Sequence, residues 1–187
     1  MARFYLIRHA DAYDGDDVQL DHYHLNDSGK VQAKQLAERL IYNNFDYMYC
    51  SRIQRSIDTC EIVNQYHKMD IKFDSRLNEV GSDSWPQPNI KTHAEGLKDF
   101  QERSEKVFDA FEDLCRKHPK GEVIVFTHGN WIKVVLSKIL NSQNPQQTFS
   151  NFIISNSSLN IIDINESEGS KFPFIVTISD AAHTQMR

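Results

Sequence analysis

Residues 123–136, VIVFTHGNWIKVVL, contain the transition that decides the fold. The first four belong to an apolar run from Glu122 to Thr127 whose composition is typical of a strand buried on both faces. His128-Gly129 follows, and Gly129 permits a tight turn into a helix. The helix is indicated by apolar residues at helical spacing, which are Ile132, Val135, Leu136 and Ile139. We therefore expect a histidine at the carboxyl end of a buried strand.

The amino terminus has the same order of strand, polar loop and helix. Arg3 to Ile7 is an apolar run with aromatic residues, typical of a buried strand, and it ends at Arg8-His9. A polar, Asp-rich loop continues through Asp21. A helix is predicted from Ser28 onward, and one of the polar residues at 26–28 can cap it. Its apolar face consists of Ala33, Leu36, Ala37 and Leu40.

Strands and helices continue to alternate along the chain. Tyr47 to Cys50 predicts a second strand, and Ser51 is placed to cap the helix after it. The apolar face of that helix consists of Ile53, Ile57, Cys60 and Val63. Ile71 to Phe73 predicts a short third strand. The segment from Leu77 to Asn89 contains glycine and prolines, so we expect an irregular loop over one end of the sheet.

The second half of the chain contains the longest predicted helix. Its apolar face runs from Phe100 to Cys115, and the helix ends near His118-Pro119 because proline stops it. Beyond the strand and helix at 122–139, three further runs have strand-like composition. They are Phe152 to Ile154, Leu159 to Ile164 and Phe174 to Ile178. The last residues are expected to be loosely held.

This alternation predicts an α/β fold. We expect a three-layer α/β/α sandwich with a mostly parallel central sheet and an antiparallel edge near the carboxyl terminus. With 187 residues, the chain is long enough for one well-buried core and short for two, so a single domain over 1–187 is expected. Its 40% hydrophobic and 25% charged residues are typical of a globular protein.

The charge, the amino-terminal sequence and the cysteine content predict which partners the protein binds and in which compartment it acts. Lysine and arginine number 21 against 26 acidic residues, a net charge of −5, and no basic run is present. We expect no nucleic-acid or membrane partner. The start of the chain resembles neither a signal peptide nor a membrane span, which favours a cytoplasmic protein. The cysteines are widely spaced and odd in number, which predicts reduced core thiols rather than a disulfide framework or a zinc site. They are Cys50, Cys60 and Cys115.

Candidate functional residues follow three of the predicted strands. Ligand sites in open parallel sheets lie at the carboxyl ends of strands, so His9 and His128 are expected along one edge. Arg8 adjoins His9, and Arg52 and Arg55 follow the second strand at the opening of a helix. Guanidinium groups and helix amino termini both suit phosphate oxygens. The alternative is that the arginines pair with the acidic loop and that the histidines are hydrogen-bonded residues at the sheet edge.

Five segments, in order, resemble motifs of the histidine phosphatase (phosphoglycerate mutase-like) superfamily. LIRHADAY at 6–13 is similar to the RHG signature, and LNDSGKVQA at 25–33 to the L-[ST]-x-x-G-x-x-Q-A segment. CSRIQRSIDTCEIV at 50–63 resembles S-P-L-x-R-A-x-x-T-A-E, and RLNEVG at 76–81 resembles the L-x-E segment. VIVFTHGNWIKVVL at 123–136 resembles the segment of the second histidine. The sequence departs from these motifs at Ala10, Asn26 and Arg52.

The resemblance implies a role for each matched residue. His9 becomes the phosphohistidine, while Arg8, Arg55 and His128 surround the nonbridging oxygens of the phosphoryl group. Glu79 is the general acid and then the general base, which requires a raised carboxyl pKa. The resemblance implies no metal or other cofactor. Arg52 is left as a substrate contact or a surface residue.

The sequence leaves alternatives open at several of these positions. Glu79 is otherwise a solvated loop carboxylate. The histidines at 22 and 24, with Asp16, Asp17 and Asp21, are the ligand types of a metal site, although an acidic loop has the same composition. Trp85 is a candidate for the rim of the pocket. The loops at 10–24 and 80–96 are expected to select the substrate.

The predicted function is phosphomonoester hydrolysis on a phosphorylated small molecule or a phosphoprotein. The stretch between Glu79 and the long helix is brief, which favours the small-cap phosphatase branch over a mutase, whose larger cap shields the phosphoenzyme from water. The alternatives are phosphoglycerate mutase-type phosphoryl transfer and a non-catalytic module that binds phosphate or phosphopeptides. The sequence contains no signal for oligomeric state or for the physiological substrate.

Overall fold

The computed structural model describes residues 1–12, 22–80, 93–140, 145–167 and 170–185. The acidic loop residues from 13 to 21, the predicted excursion from 81 onward and Trp85 lie outside the described residues.

A six-stranded sheet forms the centre of the molecule. Its strands are β1 (Ala2–Arg8), β2 (Tyr47–Cys50), β3 (Ile71–Phe73), β4 (Gly121–Thr127), β5 (Leu159–Ser167) and β6 (Ser170–Asp180). Their order across the sheet is β3-β2-β4-β1-β5-β6. The first four strands are parallel, whereas β5 and β6 pair antiparallel at one edge. The predicted mostly parallel sheet with an antiparallel carboxyl-terminal edge is confirmed.

Helices cover both faces of the sheet. They are α1 (Asp27–Leu40), α2 (Gln54–His67), α3 (His93–Lys117), α4 (Gly129–Ile139) and α5 (Pro145–Ser150). The side chains of α1 and α2 pack on one face of the sheet, and those of α3 and α4 pack on the other. These three layers confirm the α/β/α sandwich. The short helix α5 was not predicted, whereas α3 is the longest helix among the described residues, as expected.

The buried side chains follow the predicted apolar patterns. Parallel central strands have helices on both faces, so their residues alternate between two apolar layers instead of between core and water. In β4, Val123 and Val125 face α3 and α4, while Ile124 and Phe126 face α1 and α2. The three cysteines are free and buried, as the sequence predicted.

The expectation of a strand at Phe152 to Ile154 was wrong. Residues 151–158 form a loop that crosses the carboxyl end of β1, where the buried Ile154 side chain joins the core. The backbone N–H of Ser157 donates to the carbonyl of His9 at 3.1 Å, and the Arg8 N–H donates to the Ser158 carbonyl at 3.4 Å. The loop backbone at Ser157 and Ser158 therefore helps to hold the end of β1, and the apolar run before it adds no strand.

Two smaller expectations also need correction. Ser51 does not cap α2, because the helix begins at Gln54 and Ser51 lies three residues earlier with its side chain turned to another partner. The end of the chain is not loose over Ala182–Gln185, which forms a 3-10 turn. The buried His183 ring lies 3.1 Å from the Arg39 guanidinium, and this contact holds the turn against α1.

Gly29 permits the close approach of α1 to the residue after the His9-Ala10 pair. A Cβ at this position would lie 1.9 Å from the backbone oxygen of Asp11, and backbone cannot move aside as a flexible side chain can. Helix propensity alone predicts that Gly29→Ala stabilises the protein by about 1 kcal/mol. We expect the opposite, a loss of about 1–3 kcal/mol from overpacking, measured by urea unfolding.

The matched control for Gly29 is the preceding residue. Ser28 is exposed in the same first turn of α1, so Ser28→Ala is expected to change stability by less than about 0.5 kcal/mol. If Gly29→Ala proves as stable as the wild-type protein, the contact with the Asp11 backbone does not limit the packing of α1.

Candidate active site

His9 lies at the carboxyl end of β1 with both ring nitrogens assigned to partners. The residue is 4% exposed, and its backbone N–H donates to the carbonyl of Thr127 in β4 at 3.0 Å. Nδ1 lies 2.7 Å from the carbonyl oxygen of Ala10, and a carbonyl can only accept, so Nδ1 carries the proton. Nε2 is therefore the nitrogen with the free lone pair, and it accepts a hydrogen bond from Arg55 Nε at 3.1 Å.

Burial also keeps the His9 ring neutral. It lowers the pKa of His9 well below the ordinary value of 6.5, and the positive charges of Arg55 and Arg8 lower it further. An uncharged imidazole with a fixed tautomer, which keeps the lone pair of Nε2 unprotonated, has the properties of a nucleophile.

The two arginines approach this histidine from different elements. Arg55 lies in the first turn of α2 and is 3% exposed. Arg8, the last residue of β1, donates through Nη1 to the carbonyl of Ile154, and its buried Nε has no hydrogen-bond partner among the described residues. Burial lowers the pKa of Arg8, while the negative charge of Glu79 opposes that shift. The guanidinium groups concentrate positive charge at one point of an acidic protein.

His128 stands beside His9 at the end of β4. It is fully buried, and the two imidazole centroids are 5.1 Å apart. Its Nε2 lies 2.8 Å from Ser51 Oγ, whereas its buried Nδ1 has no partner among the described residues. Burial lowers the pKa of His128 well below 6.5, and the positive charges of Arg55 and Arg8 contribute to that shift.

Glu79 provides a carboxyl group at the amino terminus of α4. Its Oε1 accepts from the Val80 N–H at 2.9 Å, and Oε2 accepts from the Asn130 N–H at 3.4 Å. Burial raises the pKa of this carboxyl above 4.5, and those two N–H groups and the nearby arginines oppose the rise. A raised carboxyl pKa is a property that a general acid needs in mildly acidic or neutral solution.

Gly129 has a different role from the one that the sequence suggested. The φ of Gly129 is not in the left-handed region that favours glycine. Among the described glycines, the one with a positive φ is Gly121, at +96°. A Cβ on Gly129 would lie 3.2 Å from Arg8 Nε and 3.4 Å from Arg8 Cδ. The glycine therefore makes room for the Arg8 guanidinium rather than relieving backbone strain at the turn.

The departure from the RHG signature at position 10 is accommodated by the structure. Ala10 is fully buried in a small cluster with Ala12 and Ala33, and it has no positive φ that would require glycine. Its backbone N–H donates to Thr59 Oγ1 at 3.0 Å, and the Thr59 hydroxyl donates to the Arg55 carbonyl at 2.8 Å. Thr59 therefore links the loop after His9 to the helix that holds Arg55.

The structure brings together His9, Arg8, Arg55, His128 and Glu79, which are the five predicted site residues. Arg52 stays at the edge, because its side chain is exposed while its backbone N–H donates to Asn78 Oδ1 at 2.9 Å. His24, a member of the alternative metal cluster, pairs with Asp58 of α2, at 2.9 Å from Nδ1 to Oδ2.

Three residues that support the site had no predicted role in it. They are Ser51, Thr59 and Ser157. Ser51 and Thr59 match the motif at 50–63, and that match was the available signal. Ser157 had none, because its link to His9 is a backbone hydrogen bond between residues far apart in the sequence.

The fold and this buried cluster define an α/β protein with a cationic, two-histidine site at the carboxyl edge of its parallel strands. The chain belongs to the histidine phosphatase superfamily (branch 1), whose family model matches residues 4–95 and 81–172. The resemblance to phosphoglycerate mutase-like proteins seen in the sequence is thereby confirmed.

Individual relatives include both phosphatases and mutases. The chain is 28% identical over 172 residues to the mitochondrial serine/threonine-protein phosphatase Pgam5 of Drosophila virilis, covering 87% of this chain and 58% of that protein. It therefore spans little more than half the length of that relative. It is 25% identical over 207 residues to the probable phosphoglycerate mutase GpmB of Salmonella arizonae, covering 98% of this chain and 95% of the relative.

A solved structure supports the fold. The phosphoserine phosphatase of Entamoeba histolytica, in complex with phosphoserine, superposes with a TM-score of 0.76 at 19% identity, covering 98% of this chain and 99% of that one. Within the described part of the chain, no helix is both long and apolar enough to cross a bilayer.

Proposed function

We propose that the protein is a phosphomonoester hydrolase that acts through a covalent phosphohistidine on His9. The observation that supports this most directly is the tautomer of His9. The Ala10 carbonyl accepts a hydrogen bond from Nδ1–H, so the lone pair of Nε2 faces the buried Arg55, with Arg8 nearby. A phosphoryl group held by those arginines would have phosphorus within reach of a neutral nucleophile.

In the first step, the Nε2 lone pair of His9 forms the N–P bond while the ester P–O bond breaks. The leaving oxygen takes a proton from Glu79. The Nδ1–H bond to the Ala10 carbonyl stabilises the positive charge that develops on the imidazole ring. Arg8, Arg55 and His128 donate to the nonbridging oxygens, where the transition state carries its charge.

In the second step, water forms a new O–P bond while the N–P bond breaks and His9 regains its lone pair. Glu79, now ionised, takes the proton of the water and returns to its starting state. Both steps use groups of this chain, and the proposed activity is therefore metal-independent.

The proposed substrate is a phosphorylated small molecule or a phosphoprotein. We also propose that the enzyme is a single-domain member of the small-cap phosphatase branch and that it acts in the cytoplasm. A second candidate is phosphoryl transfer of the mutase type, which the likeness to GpmB over nearly the whole chain favours. The non-catalytic phosphate-binding alternative is less well supported, because a nucleophile and a carboxyl of raised pKa lie at the same site.

The test of the proposed function is turnover of p-nitrophenyl phosphate in EDTA across mildly acidic to neutral pH. We expect metal-independent release of inorganic phosphate. A parallel assay follows label exchange between phosphoglycerates, where rapid exchange with little phosphate release would establish the mutase instead. Phosphate binding without either reaction would exclude both enzymes and leave the binding module.

A further inference from the structure

Ser51 forms a buried pair with His128, and the proposed chemistry gives this serine no role. Both residues are fully buried, and Ser51 Oγ lies 2.8 Å from His128 Nε2. They are brought together because β2 and β4 are parallel neighbours in which Cys50 pairs with Phe126. Ser51 follows Cys50 and His128 lies two residues after Phe126, so both emerge at the same edge. The backbone N–H of Ser51 also donates to the Phe126 carbonyl at 3.0 Å, which fixes the serine beside the histidine.

The direction of the Ser51–His128 hydrogen bond follows from the other contact of the serine. Ser51 Oγ accepts from the Ile53 N–H at 3.4 Å. Among the described residues, the acceptor within reach of the hydroxyl hydrogen is His128 Nε2. A buried hydroxyl that failed to donate would lose a hydrogen bond, so the hydroxyl donates and Nε2 accepts.

A histidine whose Nε2 accepts must carry its proton on Nδ1 while it is neutral. Burial lowers the pKa of His128 well below 6.5, so the neutral form prevails at neutral pH. Nδ1 is the buried nitrogen with no partner among the described residues. An Nδ1–H group there is a donor available to an oxygen anion, whereas the opposite tautomer would present a lone pair and repel it.

We propose that Ser51 is a positioning residue that holds His128 as its Nδ1–H tautomer, so that His128 enters the reaction as a neutral hydrogen-bond donor to the phosphoryl group. The two histidines then have the same tautomer, but each directs a different ring nitrogen to the substrate. His9 offers the lone pair of Nε2 as nucleophile, and His128 offers the Nδ1 proton. The catalytic consequence rests on the proposed phosphatase activity, but the tautomer itself does not.

The first measurement is proton–nitrogen correlation NMR of the histidine side chains in the resting wild-type protein at neutral pH. The two neutral tautomers are distinguished by which ring nitrogen carries the proton, and the His128 signals are assigned by their loss in His128→Gln. We expect His128 in the Nδ1–H form. Detection of the Nε2–H form in the wild-type protein would overturn the proposal.

The second measurement compares Ser51→Ala and Ser51→Thr. Ser51→Ala is expected to convert His128 to a mixture of tautomers and to lower kcat by about 10- to 100-fold, because one oriented donor to the transition state is no longer fixed. Ser51→Thr keeps the hydroxyl and is expected to restore both the Nδ1–H signal and most of kcat. If the threonine variant has the donor tautomer but the low kcat of Ser51→Ala, the tautomer of His128 does not set the rate and the proposed positioning role of Ser51 in catalysis is wrong.

Ser137→Ala is the matched control for removing a buried serine hydroxyl. Ser137 is 3% exposed in α4, and its Oγ has no partner among the described residues. Its removal is expected to change neither the His128 signals nor kcat. If the wild-type protein shows the donor tautomer and no turnover at all, the proposed phosphatase function fails while the assignment of the Ser51 hydroxyl stands.

Discussion

His9→Ala is expected to abolish phosphoenzyme formation and to lower turnover of p-nitrophenyl phosphate by at least about 10⁴-fold, as removal of a catalytic nucleophile does in other covalent mechanisms. The alanine has no lone pair to attack phosphorus. Arg55, which donates to His9 Nε2 in the resting protein, and His128 remain to bind phosphate. The variant is therefore expected to bind inorganic phosphate or vanadate while it no longer turns over substrate.

The measurement combines steady-state rates with detection of the acid-labile phosphohistidine after rapid quenching of labelled substrate. His67→Ala is the matched control. His67 is the last residue of α2, about 18 Å along the helix from Arg55, and its ring packs against Phe45. The control is expected to retain activity and phosphoenzyme. Ordinary turnover by His9→Ala would remove the central mechanism proposed here.

The sequence predicted best those helices and strands whose apolar pattern fits only one type of secondary structure. The bounds of β2 and β3 coincide with the predicted runs, and Pro119 marks the end of α3 correctly. Phe152 to Ile154 was predicted wrongly because a run of three apolar residues has no periodicity that separates a strand from a buried loop. In this case the polar backbone of the loop is satisfied by the end of β1.

The site was predictable to the extent that it follows from topology. Parallel strands place their carboxyl ends at one edge of the sheet, so the sequence alone predicts that His9 and His128 lie close together. The contact between Ser51 and His128 spans 77 positions, and the sequence suggested a different use for the same serine as a helix cap. Two local rules competed for Ser51, and the register of β2 against β4 decided between them.

The positive charge of the site is set by where the arginines lie in the fold and not by the net charge of the chain. The chain has a net charge of −5, which by itself argues against an anionic ligand. Yet Arg8 and Arg55 converge on His9, where burial weakens screening by water and salt. The local field is therefore positive in a protein that is acidic as a whole.

Glu79→Gln is expected to produce the second large effect, a loss of about 10²- to 10⁴-fold in the hydrolysis of alkyl phosphates. An alkoxide is a poor leaving group unless it is protonated, and glutamine cannot supply that proton. With p-nitrophenyl phosphate the first step is expected to suffer less, because p-nitrophenolate leaves without a proton. The second step still needs a base to activate water. The variant should then release a burst of p-nitrophenol and accumulate phosphohistidine.

The pH dependence follows from the two shifted groups. The pKa of His9 lies well below 6.5, so its lone pair becomes available as pH rises through a range below that value. The pKa of Glu79 lies above 4.5, so its proton is retained to higher pH than an ordinary glutamate allows and is lost beyond. The wild-type profile of kcat/KM is therefore expected to be bell-shaped with a mildly acidic optimum, and Glu79→Gln is expected to lack the falling limb.

Glu38→Gln, an exposed change of the same type in α1, is expected to keep the wild-type profile and show no burst. The distinction is sharp because loss of general acid catalysis alone slows alkyl esters, whereas loss of the base traps the phosphoenzyme. A Glu79→Gln variant that hydrolyses alkyl phosphates at the wild-type rate would assign the proton transfers to another group. Such a result would leave His9 as the nucleophile, because its tautomer depends on Ala10 and Arg55 and not on Glu79.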